Sequence, residues 1–225
     1  ISDAGQVRVF SEGVPANETP EQGKQRRQLS SENDAPSRLL ARYIQRTAQL
    51  YGRGHKVALE YRPDRFLRGG DHTPFNQQGF AAVRFTEMNE DYTHQHQDLR
   101  TEKGRAYGDV TGGVDFNYLR RNAGINLATM ASLALAPAAP AKVEVLTADL
   151  TNRTQLRWQA PTGGPKPASY AVLVRESSAP QWQQRYLVTD TKADLPISKD
   201  NFIFGVVSVD AAGHESVAVL PVVGR

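Results

Sequence analysis

Apolar residues recur at helical spacing in two segments of the chain. In SRLLARYIQRTAQLYG they are Leu39, Leu40, Tyr43, Ile44, Ala48 and Tyr51. Pro36 precedes the first turn and Gly52 follows the last, which are positions where helices favour these residues. Between Val114 and Leu135 a continuous apolar stripe is formed by Phe116, Leu119, Ala123, Leu127, Met130, Ala131 and Ala134. Both patterns predict helices that pack against a core.

Alternation of apolar and polar residues predicts strands at KVALEYRPD, residues 56–64, and at FAAVRFTE, residues 80–87. The polar residues 14–36 show no apolar period and predict a long surface loop. Residues 65–79 are rich in turn-forming residues, and the glycine-rich residues 104–115 predict a flexible loop. Because strands and helices alternate over the first 135 residues, we expect an α/β layer structure there, with a mixed sheet and helices.

The pattern changes after the proline-containing segment APAAPA, residues 136–141. Short alternating runs then follow one another, separated by turn residues and without helical periodicity: AKVEVLTADL, TQLRWQAP, SYAVLVRE, QRYLVTD and NFIFGVVSVDAAG. This pattern of short strands separated by turns is typical of an all-β sandwich. We therefore predict two domains, residues 1–137 and residues 138–225.

Composition narrows the chemistry that the chain can support. Of the 225 residues, 39% are hydrophobic and 23% charged, as in ordinary globular proteins, and the formal net charge is only +3. Because the basic residues are scattered among acids, nucleic acid is not an expected partner. No apolar run approaches the roughly 20 residues of a membrane helix. Cysteine is absent, so a metal site must use nitrogen and oxygen ligands.

The segment EDYTHQHQDLR, residues 90–100, places His94 and His96 among carboxylates. Zinc sites use a neutral imidazole whose second ring nitrogen is oriented by a carboxylate or a carbonyl group. Since catalytic zinc requires about three protein ligands, one short loop does not define a site. From the chemistry alone a solvated polar loop is the preferred interpretation, and a metal role for His94 is the alternative.

Other histidines offer weaker candidates. Asp71 and His72, in GGDHTPF, form either an acid and imidazole pair that serves catalysis, or a turn in which Asp71 caps the backbone and His72 faces water. His55, beside a strand, and His214, in a predicted hairpin turn, are expected to be structural or solvated. The glycine-rich residues 104–115 match neither phosphate-binding motif.

Together, the segment GGDHTPFNQQGFAAVRFTEMNEDYTHQHQD resembles the C-terminal part of the catalytic domain of di-zinc aminopeptidases, the family that includes bacterial leucyl aminopeptidases. Members carry a DHxxF motif, then a strand, and then HxxxD, whose histidine is the last metal ligand. Asp71, His72 and Phe75 fit the first motif, and His94 with Asp98 fits the second. The remainder, including Trp158 and Tyr170, resembles a fibronectin type III module.

The resemblance implies that His94 binds one of two zinc ions in a zinc exopeptidase that recognises the N-terminus of a peptide. Asp98 would orient His94 or its loop, and Asp71 and His72 would act behind the ligands or on the substrate side. His96, which does not fit the HxxxD spacing, would lie at the pocket rim or in solvent. The resemblance also implies a secreted or periplasmic protein.

One departure from the family pattern changes the expectation for this chain. The other metal ligands and the general base of the family lie upstream of the matched segment, and no second HxxxD or Glu-Glu pair precedes His94. The chain is therefore expected to be the C-terminal half of a zinc aminopeptidase, to require the N-terminal half of the same protein, and to be inactive alone. The alternative is a non-catalytic binding protein that joins a degenerate peptidase half to a sandwich module.

Overall fold

The structure is a computed structural model that describes residues 4–224. These residues divide into two compact units, residues 4–24 with 31–129 and residues 25–30 with 130–224. Up to residue 135 the elements are β1 (Gln6–Phe10), α1 (Pro20–Gln28), α2 (Pro36–Tyr51), β2 (Lys56–Glu60), α3 (His72–Gln77), β3 (Arg84–Glu87), β4 (Arg100–Glu102), β5 (Arg105–Tyr107), a 3₁₀ turn (Thr111–Gly113) and α4 (Phe116–Leu135).

The first unit is built on a βαβ arrangement. β1 and β2 run parallel, with Val7 opposite Val57, and α2 connects them. β3 pairs antiparallel with the other edge of β1, which gives a mixed sheet in the order β2-β1-β3. The mixed sheet with helices agrees with the predicted α/β architecture, although β1 was not among the predicted strands. The more specific expectation, the layer structure of a zinc exopeptidase, stays a prediction.

Helix α2 forms as its apolar pattern predicts. Ala41, Ile44 and Ala48 are buried and pack in one cluster with Val7 and Val9 of the sheet. The helix ends at Tyr51, as predicted from the glycine that follows it.

The other side of α2 carries two buried arginines. Arg42 donates to Asp34 Oδ1 at 2.6 Å, and both side chains are at least 98% buried. Arg38 donates to the Ser11 side chain and its guanidinium lies 4.0 Å from the centre of the Tyr61 ring. Burial lowers the pKa of Arg38 to about 10. These contacts hold the segment before α2 in place, so the C-terminal end of the predicted surface loop is buried.

The prediction of an irregular loop over residues 14–36 was wrong for α1. A capping box starts this helix, because Gln22 N–H donates to Thr19 Oγ1 and Thr19 N–H donates to Gln22 Oε1. Most of its residues are exposed and it has no apolar stripe, so hydrophobic periodicity gives no signal there. Similarly, the turn-rich residues 65–79 contain α3, and the predicted flexible loop at residues 104–115 contains β5 and the 3₁₀ turn.

Helix α4 begins at Phe116 because the Asp115 side chain accepts hydrogen bonds from the backbone N–H groups of Asn117 and Tyr118. The helix was predicted correctly, but the prediction of its packing side was wrong. Tyr118 and Ile125 are buried against the sheet, whereas the stripe that includes Phe116, Leu119 and Leu127 is exposed.

His55 connects the buried side of α4 to the sheet, as expected for a structural histidine. Its Nε2 atom lies 2.7 Å from Asn122 Oδ1, and its ring meets the edge of Tyr118 at 5.3 Å. The Tyr118 hydroxyl donates to the Gln6 carbonyl oxygen at 2.9 Å. Burial raises the pKa of the Tyr118 hydroxyl above its ordinary value, although a hydrogen bond with Asn122 opposes this effect.

The second unit contains the predicted sandwich. Its strands are β6 (Ala141–Leu146), β7 (Thr154–Gln159), β8 (Ser169–Glu176), β9 (Gln184–Val188), β10 (Lys192–Leu195), β11 (Phe202–Val209) and β12 (Val222–Gly224). They form two sheets in the orders β10-β7-β6-β12 and β11-β8-β9. Trp158 and Tyr170 meet edge to face in the core at 5.4 Å. His214 lies in the turn after β11, as predicted, where its Nδ1 atom is 2.7 Å from Asp210 Oδ2.

The predicted boundary between residues 137 and 138 stays a prediction.

In the described part of the chain, no helix is long and apolar enough to cross a membrane.

Candidate metal centre

The loop that carries His94 follows β3 and is closed by a hairpin. β4 and β5 pair antiparallel across a turn at Lys103 and Gly104, where both residues have positive φ. This hairpin returns the chain to the loop, so that the Gly108 N–H donates to the Thr93 carbonyl oxygen at 2.9 Å. On the other side of His94, the Asp109 N–H donates to the Gln97 carbonyl oxygen at 3.1 Å, so both flanks of the histidine are tied to residues more than ten positions later.

Gly108 also orients the His94 ring, through its carbonyl oxygen. Its Nδ1 atom lies 2.8 Å from the Gly108 carbonyl oxygen. A carbonyl oxygen only accepts hydrogen bonds, so Nδ1 carries a proton, and in the neutral imidazole Nε2 then keeps its lone pair. The His94 side chain is 42% exposed. This is the arrangement that a metal-binding histidine requires, because a carbonyl partner fixes the tautomer and leaves the other nitrogen available.

Asp91 is the carboxylate next to the available nitrogen. Its Oδ2 atom lies 3.7 Å from His94 Nε2, in an exposed i, i+3 pair. Its Oδ1 atom accepts hydrogen bonds from the hydroxyl and backbone N–H of Thr93, at 2.6 and 2.9 Å. These hydrogen bonds hold the pKa of Asp91 below its ordinary value. Sequence reasoning counted Asp91 among the carboxylates of this segment but assigned the orienting role to Asp98, although Asp-x-Thr is a recognisable turn signal in which a side-chain oxygen binds the backbone two residues later.

Glu90 anchors the start of the loop. Its side chain is only 2% exposed and pairs with Arg8, Arg65 and Arg68, while Gln95 donates to it at 2.9 Å. Burial by itself would raise the pKa of Glu90, but the hydrogen bonds from Gln95 and Arg65 and the charges of the arginines outweigh it, so the pKa lies below its ordinary value. Since Gln95 directly follows His94, Glu90 holds the loop on both sides of the histidine.

The predicted partners of His94 occupy different positions. Asp98 is exposed, and in the described part of the chain its side chain makes no hydrogen bond or ion pair with His94. The predicted orienting role of Asp98 stays a prediction. His96 is exposed and has a left-handed backbone with φ of 54°. That exposure agrees with the expectation of a rim or solvated position.

Asp71 and His72 do not form a pair with each other. Asp71 is exposed at the start of α3 and makes no capping hydrogen bond through its side chain. His72 is 93% buried, and its Nε2 atom lies 2.8 Å from the Pro63 carbonyl oxygen and 3.8 Å from Asp64 Oδ2. The alternative in which Asp71 caps the turn and His72 faces water was therefore wrong. Their proposed roles behind the ligands or beside the substrate remain predictions.

Asp64 joins His72 to the arginines around the loop. It accepts a hydrogen bond from Arg65 Nε at 3.1 Å and lies 3.6 Å from Arg84 Nε. Burial opposes ionisation of Asp64, but the hydrogen bonds from Arg65 and the charge of Arg84 lower its pKa below the ordinary value. Arg65 pairs with both Asp64 and Glu90, so it links this cluster to the start of the His94 loop. Asp64 Oδ2, His72 Nδ1 and Arg84 Nε are buried there without a hydrogen-bond partner among the described residues.

The residues fit a metal site in part. His94 presents one nitrogen ligand, the kind of ligand expected in a chain without cysteine. Among residues 4–224, no group of three or more histidine, aspartate and glutamate side chains is arranged to hold a metal ion. Any complete site therefore requires ligands in addition to those that the described residues bring together.

Known proteins resemble the chain over almost all of its length, although no family model matches it. A protein from Leptosphaeria maculans is 45% identical over 219 residues, which are 97% of this chain and 51% of that protein. A protein from Pyrenophora tritici-repentis is 44% identical over 97% of this chain and 46% of its own length, and one from Pyricularia oryzae 42% identical over 99% and 45%. These three relatives carry the same kind of name. All three are called probable zinc metalloproteases.

The chain spans about half the length of the curated relatives it matches. Solved structures match a smaller part of it. A fibronectin type III-like protein from Clostridium thermocellum covers 40% of the chain, with 21% identity and a TM-score of 0.32. The fibronectin type III domain of human collagen alpha-1(XX) also covers 40%, with 17% identity and a TM-score of 0.32.

Proposed function

We propose that this chain is one portion of a zinc-dependent metallopeptidase and contributes His94 as a metal ligand through Nε2. The observation that carries the proposal is the hydrogen bond between His94 Nδ1 and the Gly108 carbonyl oxygen, which leaves Nε2 available. The names of the relatives support the metal and the reaction class, since the matched region includes the His94 loop.

The residues of this chain have distinct tasks in such an enzyme. When bound, zinc acts as a Lewis acid toward the scissile carbonyl group and lowers the pKa of a water ligand. His94 would supply a neutral nitrogen, and the Gly108 carbonyl would keep its proton on Nδ1. Glu90, through Arg65 and Gln95, would keep the His94 loop from shifting when zinc binds.

The more specific proposal is a di-zinc aminopeptidase that acts on the N-terminus of a peptide. Its support is the motif pair identified in the sequence, DHxxF at residues 71–75 and HxxxD at residues 94–98. The remaining ligands and the general base would come from the half of the longer protein that this chain does not match.

The test is to compare two purified proteins, the 225-residue chain and the longer polypeptide that carries it, in zinc-dependent hydrolysis of aminoacyl p-nitroanilides. We expect hydrolysis by the longer polypeptide and none by the chain alone. If the chain alone were as active, the shared site would be wrong. If neither hydrolysed the substrates and neither held zinc, the alternative of a non-catalytic binding protein would replace the peptidase.

A further inference from the structure

Residues 116–129 of helix α4 belong to the first unit and pack within it along one side. Tyr118, Ile125 and Thr129 are buried there, and Tyr118 and Ile125 belong to the cluster that includes Val7 and Val9 of the sheet. The Tyr118 hydroxyl also reaches the Gln6 carbonyl oxygen. These contacts place this side of the helix against the sheet.

The opposite side of α4 is also apolar but is exposed. Successive helical residues are rotated by about 100°, so Phe116, Leu119, Ala123 and Leu127 lie in one stripe roughly opposite Ile125. Phe116 is 64% exposed, Leu119 53% and Leu127 69%. We call these four residues the α4 stripe.

A helix that is covered on one side only has polar residues on its other side. This rule describes a surface helix of a globular protein. The α4 stripe does not follow it. Contiguous apolar side chains on opposite sides of one helix are typical of a helix that is buried on both sides.

We infer that the α4 stripe is an interface for the portion of the longer polypeptide that this chain does not match. The inference rests on the part of the proposed function that makes the chain one portion of a longer protein. The relatives support this occupant, because the chain matches only 51% and 46% of two of them. A length of polypeptide similar to the chain itself is therefore present in those proteins to cover the stripe.

The test measures the reactivity of an introduced thiol in the longer polypeptide. The 225-residue chain has no cysteine, so Leu127→Cys and, separately, Leu150→Cys each introduce one thiol into it. Leu150 is fully exposed in a loop outside α4 and serves as the matched control. Alkylation is followed by mass spectrometry of the peptides that contain the two positions, in native protein and in denaturant.

In the native longer polypeptide, we expect the Leu127→Cys thiol to react about tenfold or more slowly than the Leu150→Cys thiol, and the two rates to become equal in denaturant. Equal rates in the native protein would overturn the inference. In the 225-residue chain alone, both thiols should react rapidly at every concentration. Slow alkylation at Leu127→Cys that depends on the concentration of the chain alone would identify a second copy as the occupant, and would also overturn it.

The zinc content of the same native samples separates this inference from the proposed function. A protected Leu127→Cys thiol in a protein that binds no zinc would support the interface and contradict the zinc site. A fully reactive thiol in a protein that binds zinc and hydrolyses peptides would contradict the interface and leave the proposed enzyme standing.

Discussion

His94 Nδ1 lies 2.8 Å from the carbonyl oxygen of Gly108, fourteen residues further along the chain. The position of this oxygen depends on the backbone of Gly108, whose φ of +149° is rarely adopted by residues with a side chain. An added Cβ would also lie 2.4 Å from a methyl carbon of Leu99. The orientation of the imidazole therefore depends on a glycine, which acts through its backbone and has no functional side chain.

Gly108→Ala should weaken zinc binding by the longer polypeptide by about 10- to 100-fold, as is typical when the partner that orients a metal-binding histidine is lost. Competition with a chromophoric chelator measures the affinity. Gly104→Ala is the matched control, because Gly104 also has positive φ, with open space around it, but does not contact His94. Equal zinc affinities for the two variants would show that the Gly108 carbonyl does not orient the ligand.

Glu90→Gln should destabilise the first unit by about 2–3 kcal/mol, because Arg8 and Arg65 lose charge-assisted hydrogen bonds to a buried carboxylate, although Arg65 keeps its pair with Asp64. The free energy of unfolding is measured by urea denaturation at pH 7. Glu102→Gln is the control, since its ion pair with Arg100 is exposed and its loss should cost about 1 kcal/mol or less.

The effect of Glu90 should also depend on pH. Its pKa in the folded protein lies below the ordinary value of 4.5, so its ionised form stabilises the fold above that value. The stabilisation is lost as the pH falls from 4.5 through the lower folded pKa. We expect the difference in unfolding temperature between the wild type and Glu90→Gln to be constant near neutral pH and to shrink below about pH 4.5. A difference that stayed constant down to pH 3 would mean that Glu90 does not act through its charge.

Arg42→Ala should cost about 3–5 kcal/mol, because the buried carboxylate of Asp34 would lose the positive charge of Arg42. Arg46→Ala, one turn later on an exposed position of the same helix, should cost about 1 kcal/mol or less. Urea denaturation of both variants checks the prediction. Similar losses in the two variants would show that the buried pair adds nothing beyond helix propensity.

Gly205→Ala should destabilise the sandwich by about 1–3 kcal/mol through overpacking. An added Cβ would lie 2.9 Å from the Trp182 ring and 3.3 Å from the Ala218 side chain. Gly163→Ala, where the added atom meets nothing within 4 Å, is the control. Thermal unfolding, together with Trp182 fluorescence in a Trp158→Phe background, measures both variants. An unchanged emission spectrum in Gly205→Ala would contradict the predicted displacement of Trp182.

The sequence revealed elements whose apolar residues follow one clear period. The strand that contains Trp158 is an example, because its burial alternates as its pattern does. The α2 helix was also found, although of its predicted apolar residues Ile44 is buried and Tyr51 is exposed. In α4 the same method found the helix but chose the wrong side. Apolar residues on both sides leave the direction of packing undetermined until Tyr118 and Ile125 are placed against the sheet.

The candidate site shows a different limit. His94 could be selected from the sequence because its type and spacing fit a motif. The groups that position its ring and its loop could not, since Gly108 contributes a backbone atom to the ring and Glu90 anchors the loop through Arg8, which is 82 residues away. Helix α1 lies between these cases, because Thr19 and Gln22 carry a capping signal that hydrophobic periodicity does not detect.

The most direct test of the central claim is the zinc content of the longer polypeptide, measured by mass spectrometry of the metal after dialysis, for the wild type, His94→Ala and His96→Ala. If His94 is a ligand, His94→Ala should lose at least one equivalent of the zinc that the wild type binds, and His96→Ala should retain the wild-type content. Full zinc content in His94→Ala, or an equal loss in His96→Ala, would contradict the assignment of His94 as the metal ligand.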